Sequence, residues 1–204
     1  SFGAPSDEEY PFLLDIATST IQRGKIEVYA REGKPTPKGL TIDVLGNEPT
    51  DSRELLKTLV EGTASLLPLG GAGEELGGHK GYGLGMMIEI LCASLTGGSF
   101  GQALSGFENG KPAHHKLGHF FIAINIESFV PIELFKKITG SIMREVRSSA
   151  KVPGKDRIFL AGEKEFDMVK RRKAEGIPIN PAVQKIIRDL KKDLGLMGFD
   201  FPFI

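Results

Sequence analysis

The chain lacks any excess charge, a second cysteine, tryptophan and long apolar runs. Its 26 basic side chains are balanced by 26 acidic ones, so bulk electrostatic attraction to nucleic acid or to an anionic membrane is not the basis of its action. Cys92 stands alone, which excludes an internal disulfide. No stretch approaches the roughly 18 apolar residues of a membrane-spanning helix. The opening Ser1-Phe2-Gly3-Ala4-Pro5 has neither the basic nor the apolar region of a secretory signal. These absences lead to the expectation of a cytoplasmic chain with no nucleic-acid and no membrane partner. No methionine heads the sequence and its first residues run almost straight into an apolar strand, so we expect it to begin inside a larger fold.

What is present is ordinary globular usage, 40% hydrophobic and 25% charged residues, which argues for a folded core rather than disorder. Glycine is the exception: 26 residues, many of them between Gly62 and Gly110, where backbone must turn tightly or approach something closely.

Periodicity and punctuation give the elements. Pro11-Phe12-Leu13-Leu14-Asp15-Ile16 has strand length and ends at an acid. Thr18, Ser19 and Thr20 then offer capping hydroxyls for a helix to about Arg31. Gly33 to Pro49 reads as a surface excursion, and Asp51 caps a short helix with Leu55, Leu56, Leu59 and Val60. Leu84, Met87, Ile88, Leu91, Cys92 and Leu95 fall on one face of a 3.6-residue period, predicting a helix that starts at Gly81-Tyr82-Gly83 and buries this stripe. Leu117 to Ile126 is an apolar run expected as a central strand with His119 packed in it. A helix over 131–149 carries Phe135, Ile138, Ile142 and Val146 on its apolar side. Ile158-Phe159-Leu160 reads as a short strand entering a polar helix that ends near Glu175, and Asn180 with Pro181 opens a last amphipathic helix.

Three places could carry chemistry. In Gly77-Gly78-His79-Lys80-Gly81-Tyr82-Gly83-Leu84-Gly85 a cation sits in glycine before a helix. It is either an anion-binding loop or a tight turn, and its spacing matches neither standard phosphate loop. Asp15, at the carboxyl end of a strand, is either a ligand group or a turn aspartate. Ala161-Gly162-Glu163 leads into a helix whose free N–H groups could seat an anion or a ribose. The four histidines show no zinc spacing. The cations Lys164, Lys170, Arg171, Arg172 and Lys173, interspersed with acids, read as a solvated face. Cys92 reads as core.

Taken together, Leu14-Asp15-Ile16-Ala17-Thr18-Ser19, Arg23-Gly24-Lys25-Ile26, Gly78-His79-Lys80-Gly81-Tyr82-Gly83-Leu84 and Gly118-His119-Phe120-Phe121-Ile122-Ala123-Ile124 resemble, in this order, the malate/L-lactate dehydrogenase family. This is the group that includes sulfolactate and ureidoglycolate dehydrogenases and is unrelated to the Rossmann-type enzymes. The resemblance runs from Phe12 to about Pro178. It implies an α/β fold, a mixed sheet with surrounding helices, and a homodimer that interconverts a 2-hydroxy acid and its 2-oxo acid with NAD or NADP. It carries cofactor contacts over to Asp15, Ile16, Ala17, Lys80, Gly162, Glu163 and Lys164, and no metal. The family's proton-transferring histidine belongs to a region N-terminal to anything matched here, so no catalytic residue is assigned. The chain is accordingly expected to be a C-terminal part, inactive alone. Residues 1–160 would form the cofactor-binding α/β core and 161–204 a helical segment packing on it and on the N-terminal region. The competing reading is a non-catalytic ligand-binding or dimerising module that kept the scaffold.

Overall fold

The computed structural model describes residues 1–108, 111–196 and 198–203. Gly110, at the end of the glycine-rich stretch, and Met197 and Ile204 of the C-terminal segment lie outside the described residues. In chain order the strands and helices are β1 (Phe2–Ala4), β2 (Phe12–Leu14), α1 (Arg23–Glu32), β3 (Thr41–Asp43), α2 (Ser52–Glu61), β4 (Ala64–Leu66), α3 (Gly78–Glu89), β5 (Phe107–Glu108), β6 (Lys111–Pro112), α4 (Ile132–Ser148), α5 (Glu163–Glu175) and α6 (Pro181–Asp193). The strands pair antiparallel as β1–β2, β3–β4 and β5–β6. Contacts divide the chain into one unit of Ser1–Asp15 with Asn125–Ile204 and another of Ile16–Ile124, a different partition from the 1–160 and 161–204 split read from sequence. No helix among the described residues is long and apolar enough to cross a membrane.

The central unit, Ile16–Ile124, is organised by a small apolar core. Ile21, Ile26, Leu55 and Ala64 are buried together, with Tyr29, Leu40, Leu56, Leu59 and Leu66 packed around them. The Asp51 carboxylate accepts from the N–H groups of Arg53 and Glu54 at 2.9 and 3.0 Å, satisfying two of the free donors that any helix start leaves. The hydroxyls expected to cap α1 do something else. Thr20 Oγ1 donates toward the carbonyls of Leu40 and Leu67, both at 3.1 Å, and Ser19 Oγ donates to Ile21 O. The helix therefore starts later, at Arg23, without a side-chain cap.

The string around Lys80 is not a loop. It forms the first turns of α3, which continues as one π-helical turn, Ile90–Ser94. The glycines explain the difference. A Cβ at Gly78 would lie 2.1 Å from Gly71 O, one at Gly81 2.0 Å from Leu69 O, and one at Gly85 3.3 Å from Thr18 Oγ1. These three positions share one helix face, and only hydrogen at Gly78 and Gly81 lets that face lie directly on the backbone of 69–73. The apolar stripe read from sequence consequently points elsewhere: Leu84, Met87, Ile88 and Leu95 are exposed, and Leu91 and Cys92 half-buried.

Two expected strands are also absent. Residues 117–125 form no strand, and Leu117, Phe121, Ile122 and Ile124 are exposed, as is His119. An apolar run becomes a strand only by completing a ladder, and none of the described strands pairs with it. Its start is instead fixed at Gly118, where a Cβ would lie 2.0 Å from Cys92 O. Residues 158–160 are likewise irregular, because the Leu160 N–H is taken by the Glu163 carboxylate at 2.9 Å.

The other unit is built on α4. Its bounds match the sequence expectation, but its buried residues are Gly140 and Met143, while Ile138, Ile142 and Val146 are exposed. Residues 7–10 occupy the packed side. Arg144 grips Asp7 through both guanidinium nitrogens, at 2.8 and 3.2 Å, and Arg147 grips Glu8 likewise, at 3.2 and 2.8 Å. Bidentate guanidinium–carboxylate pairs thus decide which face of α4 turns inward. Helix α5 joins through Phe166, whose ring stacks on Tyr10 at 5.0 Å. Helix α6 begins as read, with Asn180 Oδ1 accepting from the Val183 N–H and Pro181 at the first turn.

Candidate functional site

The seven residues singled out from sequence fall in four places. Asp15 follows β2 and is exposed; its carboxylate accepts from Ser1 Oγ at 2.7 Å. Ile16 is exposed and Ala17 half-buried, and both lead into Thr18 and Ser19. Lys80 lies exposed in the first turn of α3, and no carboxylate among the described residues pairs with it. Gly162, Glu163 and Lys164 form the turn into α5.

Within the central unit the structure brings together the residues that directly follow two of these places. The main chain of 18–19 is tied to 67–69 by the Thr20 N–H to Leu67 O and Leu69 N–H to Thr18 O hydrogen bonds, at 2.8 and 3.0 Å, and α3 lies across the same segment through Gly78, Gly81 and Gly85. Between them opens a cleft of about 350 Å³ lined by Thr18, Ser19, Leu66, Pro68, Gly81, Tyr82, Gly85, Met86 and Glu89. Its walls include Thr18 and Ser19, which follow Ile16 and Ala17 in sequence, and Gly81 and Tyr82, which follow Lys80; none of the seven residues singled out from sequence is itself in the lining. The N-cap of α3 is Gly77, at φ 84° and with no side chain to satisfy the first N–H groups, so the helix start beside the Lys80 ammonium favours negative charge.

In the other unit, β2 meets the turn into α5. The Leu13 N–H donates to Ala161 O at 3.3 Å, and Gly162, at φ 88°, has Leu13 Cβ and O within about 3 Å of where its own Cβ would stand. Both the positive φ and the crowding require glycine there. Glu163, 2% exposed, is not a free carboxylate. One oxygen pairs with Arg157 and lies 3.4 Å from Arg147 Nε; the other accepts the Leu160 N–H. Burial by itself would raise its pKa, but the Leu160 N–H and the Arg157 guanidinium outweigh burial and hold the carboxyl below its ordinary range. The Tyr10 hydroxyl, which accepts from Arg147 at 2.8 Å, is pushed the other way, by burial and by the Glu163 carboxylate. Lys164 turns outward over the Phe159 ring, at 5.0 Å. Among the described residues no three His, Cys, Asp or Glu side chains gather as a metal site requires.

The sequence pass missed the lining residues Tyr82 and Glu89 and the partners of Glu163. Tyr82 belongs to the glycine-rich string around Lys80, where the cation is the stronger signal; Arg147 and Arg157 carry no local signal, because what selects them is a tertiary contact.

Comparison with known proteins gives this arrangement its family. The profile of the malate/L-lactate dehydrogenase family matches residues 1–188. A malate dehydrogenase of Pyrococcus horikoshii is 40% identical over 198 residues, which are 97% of this chain and 52% of that protein. A malate/(S)-sulfolactate dehydrogenase of Methanothermus fervidus is 32% identical over 94% of this chain and 51% of its own length. Among solved structures, a malate dehydrogenase of Entamoeba histolytica superposes with a TM-score of 0.87 at 37% identity, covering 98% of this chain and 54% of that one. The fold is therefore α/β and of the non-Rossmann type expected. The chain belongs to the malate/L-lactate dehydrogenase family, and it spans about half the length of the curated relatives it matches.

Proposed function

We propose that this chain is the cofactor-binding part of a cytoplasmic, homodimeric, NAD- or NADP-dependent dehydrogenase that interconverts a 2-hydroxy acid and its 2-oxo acid. The observation that carries the reading is the cleft in which Thr18 and Ser19, directly after Ile16 and Ala17 in sequence, face Gly81, Tyr82 and Gly85 of α3. Two of the family-like strings, far apart in sequence, meet at one cavity, and Lys80, which has no carboxylate partner among the described residues, is next in sequence to its lining, an arrangement that suits a shared ligand. The cleft suits part of a dinucleotide: its volume admits a ring and a sugar, its glycine wall allows close approach, and the ammonium and open helix start suit phosphate or carboxylate oxygen. Malate and sulfolactate, in the names of the relatives, share an anionic acid group beside the carbon bearing the hydroxyl, which fits the same cation.

A bound nicotinamide supplies the hydride acceptor or donor. The chain's own residues have narrower tasks. Lys80 holds anionic oxygen, Ile16 and Ala17 contribute an apolar edge, and Thr18, Tyr82 and Met86 shape the cleft. For Asp15, Gly162, Glu163 and Lys164 the cofactor role rests on the family resemblance of their strings. Oxidising a secondary alcohol also requires a base within hydrogen-bond reach of the hydroxyl, and we assign that role to a histidine outside the matched region.

The test is to titrate NADH and NADPH against the chain and against Lys80→Ala, following nicotinamide fluorescence. The substitution should cost about 1.5–3 kcal/mol of binding, the worth of a charge-assisted contact, and leave the thermal midpoint unchanged. Equal affinity in both proteins would remove Lys80 from the site. Assayed alone with malate or lactate, the chain should not turn over, and adding the N-terminal region of a family member should restore activity; robust turnover alone would place the acid–base group among the histidines present here.

A further inference from the structure

The most heavily paired side chains among the described residues belong to the α4 unit and gather around Arg147. This guanidinium joins three segments. It grips Glu8 with two hydrogen bonds, donates to the Tyr10 hydroxyl, and lies 3.4 Å from the Glu163 carboxylate. Glu163 in turn holds Arg157, whose other nitrogen donates to Asp167 at 2.9 Å. The ends of this network are informative. Residues 8–10 lead directly into β2, and β2 delivers Asp15. Glu163 is the first residue of α5 and follows Gly162, whose backbone is pressed on Leu13. Arg147 is thus tied to both pieces of chain that bear the proposed cofactor contacts of this unit, while touching neither Asp15 nor Lys164.

The pairing is more than a surface decoration. Glu163 is 2% exposed, and the Arg147 Nε, although beside a Glu163 oxygen, is buried without an aligned hydrogen-bond partner. A fork that satisfies Glu8 fully and Glu163 only by proximity is placed for geometry: Glu8 and Tyr10 hold the guanidinium, and its charge holds Glu163 and the turn it begins.

From this we infer that Arg147 is a positioning residue for the cofactor, fixing the strand that ends at Asp15 against the Gly162 turn. The inference rests on the proposed cofactor reading, and the experiment separates the two. Affinity for NADH and NADPH is measured by fluorescence titration, far below each protein's thermal midpoint, for the chain and for Arg147→Met, Arg147→Lys and the double variant Glu8→Gln/Arg147→Met. Arg147→Met should weaken binding by about tenfold, as if one charge-assisted contact made by the Asp15 strand or the Gly162 turn no longer reached its place, and should also lower the midpoint. Arg147→Lys, which keeps the charge and part of the pairing, should recover some of the affinity. The double variant also removes the Glu8 carboxylate, which without Arg147 keeps only its 3.4 Å pairing with Arg144, so its midpoint should recover in part while its affinity stays weak. Should Arg147→Met not fold, Arg147→Lys and the double variant carry the comparison. Affinity that tracks the midpoint through the series, or stays at the wild-type value, would reduce Arg147 to a structural residue. Failure of the unaltered chain to bind either nucleotide would overturn the cofactor reading itself, and this inference with it.

Discussion

The two units of this chain are held by opposite means. The central unit buries Ile26 and Leu55 to 0% and 1% exposure and sets α3 on bare backbone through glycine. The unit around α4 turns Ile138, Ile142 and Val146 outward and closes on arginine forks to Asp7, Glu8 and Glu163. The first kind of packing is non-directional and follows apolar area; the second depends on where a guanidinium can reach two oxygens at once. Only the first leaves a trace in hydrophobic periodicity, and the two should respond differently to mutation, pH and salt.

The largest effect should come from the apolar core. Leu55→Ala removes a fully buried side chain and should cost about 2–5 kcal/mol, seen in urea unfolding at low and high salt alike. A loss much below that would mean that Leu55 is not the keystone its burial suggests. Next comes the glycine face: Gly81→Ala would drive a methyl group into Leu69 O, at about 1–3 kcal/mol. A neutral outcome would show that α3 can lift from 69–73 at no cost.

A smaller effect, confined to acid, should mark the α4 unit. The Glu163 carboxyl lies below its ordinary value of 4.5 in the folded chain, so its contribution is complete above that value and lost as pH falls through the lowered folded one. Glu163→Gln should therefore flatten the acid limb of the stability profile below about pH 4.5 and leave its slope near neutrality unchanged. An unchanged acid limb would separate Glu163 from the stability of its unit. The smallest effect has the opposite sign. Gly83 has nothing within 4 Å of an added Cβ, so Gly83→Ala should stabilise by about 0.5–1 kcal/mol through helix propensity. Loss of stability there would mean that this side of α3 is covered in the protein.

What the sequence made legible was mostly local. Asp51 and Asn180 announce their helices because a cap acts within three residues, and the bounds of α4 and α5 follow from Pro131, Gly162 and Gly176. The motif strings carried the family resemblance because each is contiguous in sequence and can be matched without knowing the packing around it. Misread were features that depend on a distant partner. Thr20 was expected at a helix start and bonds instead to Leu40 and Leu67. Residues 117–125 have the hydrophobicity of a central strand but pair with none of the described strands. Glycine around Lys80 suggested a loop, although at Gly78, Gly81 and Gly85 it serves close helix packing. Glu163 was noticed for its place at a helix start, but its entanglement with Arg147 and Arg157 could not be seen, since no spacing rule links them.

Helix α3 contains glycine at four of its twelve positions, 78, 81, 83 and 85. Against alanine, that composition disfavours an isolated helix by about 4 kcal/mol. The segment is helical because it lies on 69–73 and Thr18, and cut out as a peptide it would be coil. Its amides should accordingly exchange with solvent through a local opening well below the free energy of global unfolding. Lys80 rides on the first turn, so under the proposed reading an anion bound there would draw that opening equilibrium toward the closed form. Slowed amide exchange across α3 on addition of a nucleotide would then report binding directly, even in a chain that performs no chemistry of its own.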